Sequence, residues 1–121
     1  MPKRYVHLLV NLLFPLAAAA VLVLSLLPTL AVPETGIPFT DKLLHAAAYL
    51  VLGSLGYLFF YTKKQHKLQA LVSSVIICTL WGAGIEILQG YTGRTPELLD
   101  GIMDFCGAAL GTLITRKVAP A

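Results

Sequence analysis

Asp41, His45 and Tyr49 lie four residues apart along one apolar stretch. On a helix that spacing puts a carboxylate, an imidazole and a phenol in one stripe, with His45 roughly 6 Å deeper than Asp41. Further along, Glu86 and Gln89 are three residues apart, so Glu86 lies about 4.5 Å inside Gln89. Asp100 and Asp104 repeat the four-residue spacing, and Asp104 again lies about 6 Å deeper. Three segments therefore each carry an outer polar group and an inner ionisable one. His45, Glu86 and Asp104 form the inner layer, and Asp41, Lys42, Gln89, Arg94 and Asp100 the outer one. His45 and Glu86 could exchange protons as acid and base. Lys42 and Arg94 could hold an anion, Arg94 through two parallel hydrogen bonds. Gln89 and Tyr49 could supply neutral hydrogen bonds. No Ser or Cys nucleophile signature sits beside His45, so acyl-enzyme chemistry has no support.

The segments that must position these groups are apolar. The 121 residues are 57% hydrophobic and only 12% charged, where a soluble domain carries about a quarter charged residues. The pattern predicts an all-α, four-helix transmembrane bundle forming one domain over 1–121, with spans at about 7–30, 41–61, 68–89 and 96–115. Pro15 and Pro28 fall in the first span, and Thr95 and Pro96 read as the start of the fourth. Lys3 and Arg4 precede an apolar run too long for a secretory leader, so this run is read as a retained span. Cys78 and Cys106 fall inside spans without metal-ligand spacing and are expected to be buried packing residues.

Charge fixes the expected orientation. All six acidic residues lie near the two connections that join the first span to the second and the third to the fourth. Seven of the nine Lys/Arg lie at the opposite ends of the spans, so both termini are expected in the cytoplasm. The net charge of +3 is then an orientation signal and a contact for anionic lipid, and no nucleic-acid partner is expected. The inner layer is costly to place in hydrocarbon, about 2.5–3.5 kcal/mol per charge at mid-helix. His45, Glu86 and Asp104 should therefore face one another or a water-filled cleft. Small residues would allow the close approach: Gly53 and Gly56, Gly82 and Gly84, and the pair Gly107 and Gly111. Plainer readings stand beside this one. Polar pairs between membrane helices can act only as glue. Capping and snorkelling account for Asp41, Lys42 and Asp100. Arg94 is either a counter-ion to Glu86 or Asp100, or an anion-binding group.

These residues resemble the VanZ-like family of small bacterial membrane proteins, named for a teicoplanin-resistance protein. The resemblance covers about residues 41–111. It rests on Asp41-Lys42-x-x-His45-x-x-x-Tyr49-x-x-x-Gly53, on Gly84-Ile85-Glu86-Ile87-Leu88-Gln89, on Arg94, and on Asp100-x-x-x-Asp104-x-x-Gly107-x-x-x-Gly111. It implies a multi-pass protein of the bacterial cytoplasmic membrane with an envelope role, and glycopeptide resistance in the founding member. One position departs: the family commonly has Asn where this chain has Asp104. The extra carboxylate must be protonated or paired, with Lys42, Arg94 or His45 as the candidate partners.

Three functions fit. The favoured one is non-catalytic: an outward polar pocket binds a lipid headgroup, a lipid-linked envelope precursor or a lipoglycopeptide, with no cofactor and no resident metal. The second is a membrane enzyme using His45 and Glu86, with Asp104 as a further candidate; its carboxylates could also gather a divalent cation. The third is proton or ion transport, which four spans would support only as a homo-oligomer. The expected orientation is testable. Cysteines introduced at 63–67 should react with a membrane-impermeant maleimide only after the membrane is opened; labelling in intact cells would invert the topology.

Overall fold

The computed structural model describes residues 3–26, 40–64, 66–91 and 98–118, with side chains from Arg4 in the first segment and from Leu43 in the second. The expected sites at Arg94, Thr95, Pro96 and Pro28, and the side chains of Asp41 and Lys42, lie outside the described residues. Four helices make up the fold: α1 (Lys3–Leu26), α2 (Thr40–Tyr61), α3 (Lys67–Gln89) and α4 (Leu98–Val118). Each is long and apolar enough to cross a membrane. α1 starts four residues before the expected span, so the basic pair Lys3 and Arg4 belongs to its first turn.

The cross-helix contacts set the topology. Ser74 on α3 meets Thr112 on α4, and Gly82, further along α3, meets the earlier Asp104, so α3 runs antiparallel to α4. On α2 and α4 the contacts advance together, from His45–Asp104 through Ala46–Gly107 to Leu50–Gly111, so these two helices run parallel. α1 runs parallel to α3, through Trp81 to Ala18 and Gln89 to Ser25. α2, α3 and α4 pack mutually; α1 rests on α2 and α3 and, among the described residues, does not reach α4.

Helix polarity suits the charges. α2 and α4 both begin at the acidic end, where their unpaired N–H groups favour carboxylates such as Asp100 in the first turn of α4. α4 ends at the basic end with Arg116 and Lys117 in its last turn. The short connection at 62–66 also lies at the basic end. Lys64 there takes a left-handed conformation at φ 64°, which closes the turn with a non-glycine residue. Lys63 places its ammonium 4.8 Å from the centroid of the Phe59 ring.

The contact between α2 and α4 is built on small residues. A Cβ at Gly53 would run into the backbone of Ala108, one at Gly107 into that of Ala46, and one at Gly111 into that of Leu50. α2 and α4 thus touch backbone to backbone, the arrangement that replaces hydrophobic drive inside lipid. Hydroxyls finish this seam. Ser54 Oγ donates to Leu50 O at 2.8 Å and lies 3.1 Å from Gly111 O. Ser74 Oγ and Thr112 Oγ1 both reach Gly53 O, at 2.8 and 3.1 Å. Phe14, Tyr49, Leu52, Cys78 and Ala108 form the apolar centre. Cys78 is buried there as expected, whereas Cys106 is exposed, because it lies on the side of α4 turned away from α2 and α3.

Gly107→Leu is expected to unfold the bundle or lower its melting temperature in detergent by more than 10 °C, since the side chain must displace backbone. Gly84→Ala, whose added Cβ meets nothing, should hold or raise stability, by up to about 1 kcal/mol from helix propensity. Thermal melting followed by circular dichroism separates the two.

Candidate functional site

The parallel seam of α2 and α4 carries the polar groups at its acidic end. His45 is in the second turn of α2, and Asp100 and Asp104 occupy the first two turns of α4. His45 Nδ1 lies 2.8 Å from Asp104 Oδ1. A carboxylate can only accept, so with Asp104 ionised Nδ1 carries the proton and donates it. The other ring nitrogen, Nε2, lies 3.9 Å from Asp100 Oδ2. One imidazole is thus flanked by two carboxylates from a single face of α4. The Asp104 side chain is 3% exposed, Asp100 12% and His45 20%. The cluster is closed below, at Asp104, and open at the His45 ring.

Asp104 is held from a third side. A Cβ at Gly82 would lie 2.7 Å from Asp104 Oδ2, so α3 offers a glycine where the carboxylate needs room. Glu86 stands one turn further along α3. It is half-buried and lies within electrostatic reach of both His45 and Tyr49. Tyr49 is buried one turn below His45.

The structure therefore brings His45, Asp100 and Asp104 together, with Glu86 and Tyr49 close by. Gln89 is buried and turned toward α1, where its Nε2 donates to Ser25 O at 2.9 Å. Of the three candidate partners for Asp104, His45 is the one among the described residues, and it is paired with Asp104. Among the described residues no cluster of three or more His, Cys, Asp or Glu has metal-binding geometry. Sequence reasoning missed Gly82 as the floor of Asp104, and it missed the Ser54, Ser74 and Thr112 hydroxyls. Nothing in their spacing marked the latter, since Ser54 and Thr112 merely adjoin Gly53 and Gly111 in sequence.

Four apolar spans with ionisable groups gathered at one end define a multi-pass membrane protein of the helical-bundle class. The family model of VanZ/LLP1 matches residues 5–119, nearly the whole chain, and the protein belongs to that family. Comparison with curated proteins gives no match, and comparison with solved structures gives none.

The His45–Asp104 contact should be measurable as a coupling. In a double-mutant cycle of His45→Gln and Asp104→Asn, the two losses of stability should differ from additivity by about 1 kcal/mol, the scale of polar contacts between membrane helices. Gly82→Ala should reduce that coupling, because the new methyl displaces Asp104. Additive losses would mean that the two side chains stabilise the bundle independently.

Proposed function

We propose that the acidic end faces away from the cytoplasm and that its polar cluster binds the headgroup of a cell-envelope ligand. The ligand class is a lipid headgroup, a lipid-linked precursor or a lipoglycopeptide. The observation that carries this reading is the His45 ring, flanked by carboxylates at both nitrogens and still 20% exposed. A pair serving only as glue would gain most by being sealed, since its hydrogen bonds strengthen away from water. Here the inner partner is sealed and the outer one is accessible. Family membership supports an envelope role, and the charge asymmetry supports both termini lying in the cytoplasm.

In this proposal Asp100, Glu86 and His45 receive the ligand's hydrogen-bond donors and any cationic group, and Asp104 holds the imidazole from below. Lys42 and Arg94 take its anionic part, and Arg94 is the main anion-recognition residue. Asp41 belongs to the same rim. A contribution to glycopeptide resistance follows if the ligand is a glycopeptide or the precursor it targets.

A second reading has its own support. Asp104 fixes the imidazole through Nδ1, the orientation that leaves Nε2 to take and return a proton. On that reading His45 is the acid–base group of a membrane enzyme acting on an envelope lipid, and Glu86 assists it.

Variants separate recognition from scaffolding. Glu86→Gln and His45→Gln, expressed in a glycopeptide-susceptible bacterium, should lose at least half of any change in teicoplanin susceptibility that the wild-type chain confers. Their melting temperatures in detergent should stay within a few degrees of wild type. A phenotype lost only together with the fold would reduce the cluster to glue. For Arg94→Gln, loss should persist when Glu86 or Asp100 is also made a neutral amide; rescue by that second change would make Arg94 a structural counter-ion.

A further inference from the structure

A groove runs along the seam between α1 and α3, on the side of α3 away from the polar cluster. It consists of two adjoining cavities of about 320 and 390 Å³ that share Leu22 and Trp81. Ala18 and Gly84 hollow it out, and a Cβ at Gly84 would meet nothing within 4 Å. Its wall is apolar, and the one strong donor in it, the Trp81 indole N–H, is already given to Ala18 O at 3.1 Å.

The groove has a definite depth. On α3 it extends from Ile77, at the middle of the helix, to Leu88, at the acidic end. Eleven residues of helix span about 16 Å. Half of the hydrocarbon core of a bilayer is about 15 Å. On α1 the lining likewise begins near mid-helix, at Phe14, and continues to Leu22. The groove thus occupies one leaflet, the one at the acidic end.

We propose that this groove is a site for one acyl chain of a phospholipid from that leaflet. Three alternatives fit less well. Water needs two to four polar partners, and this wall offers none. An empty groove would forfeit dispersion contacts along its whole length. A helix of a second copy is about 10 Å across, so two turns take up roughly 850 Å³, more than either cavity holds. A hydrocarbon chain is narrow enough to enter and matches the groove in length and chemistry. The site shares no residue with the polar cluster, so it stands whatever that cluster binds.

Trp81 is the only tryptophan in the chain, so its fluorescence reports on the groove alone. The full chain is reconstituted in phosphatidylcholine vesicles, with and without dibrominated acyl chains, which quench indole on contact. Wild-type emission should be strongly quenched. Gly84→Leu and Ala19→Leu, each filling the groove from a different helix, should lower the quenching at least twofold. Gly101→Leu, an equally open glycine on α4, should leave it at the wild-type level. Native mass spectrometry in mild detergent should show one phospholipid kept per wild-type chain and none by Gly84→Leu. Equal quenching in wild type and in both filled variants would overturn the site. So would wild-type quenching that rises as the protein is diluted in lipid, because a second copy would then be covering the groove.

Discussion

Everything at the acidic end depends on how closely α2 and α4 approach. Inside a membrane, apolar side chains gain little by leaving lipid for protein, so helices are held by van der Waals contact and hydrogen bonds. Gly53, Gly107 and Gly111 bring one backbone against the other, and no side chain intervenes. Such a seam has a single register. Slide α4 by one turn and a side chain meets backbone where a glycine now lies. That register sets His45 opposite Asp104 at hydrogen-bonding distance. A seam padded by leucines would leave the two groups too far apart to touch and would still have to bury both.

The hydroxyls along the seam serve the same constraint from another direction. Ser74 Oγ and Thr112 Oγ1 both lie within donating distance of Gly53 O on the neighbouring helix, and Ser54 Oγ lies beside Gly111 O. A carbonyl that accepts a helical N–H keeps a second lone pair, and a hydroxyl can bond to that one. The bonds therefore add adhesion without unwinding any helix. α1 is attached differently. It is the least buried of the four and is held by Trp81 and Gln89, which donate to its Ala18 and Ser25 carbonyls. Two side chains reaching across leave the rest of this seam open, and the groove lies along it on both sides of Trp81. The tight seam positions the polar site, and the loose one makes room for hydrocarbon.

Polarity ties the site to the fold electrically as well. The parallel arrangement of α2 and α4 points two helix N-termini at the acidic end, and their combined field favours negative charge there. Asp100 and Asp104 take that position, and the imidazole between them lies against both carboxylates. Asp104 brings a carboxylate into the apolar bundle, and the histidine one hydrogen bond away accommodates it.

The sequence alone determined the four helices, their apolar character and the segregation of charge between their ends. These follow from local properties: runs of about 20 apolar residues, prolines and glycines at the connections, and Lys/Arg kept apart from Asp/Glu. Depth was equally legible, since 1.5 Å per residue places His45, Glu86 and Asp104 at one level whatever surrounds them. The azimuth of each helix was not, because helices with so little amphipathic bias can present several faces to a neighbour. Only packing decided that Asp104 meets His45, that Gln89 turns to α1, and that Cys106 is exposed while Cys78 is buried. Tertiary structure also decided where packing fails. The groove between α1 and α3 exists because the bulky contacts of α1 are spent on α2 at Phe14, Phe59 and Phe60, and no spacing of residues along one chain records such a gap.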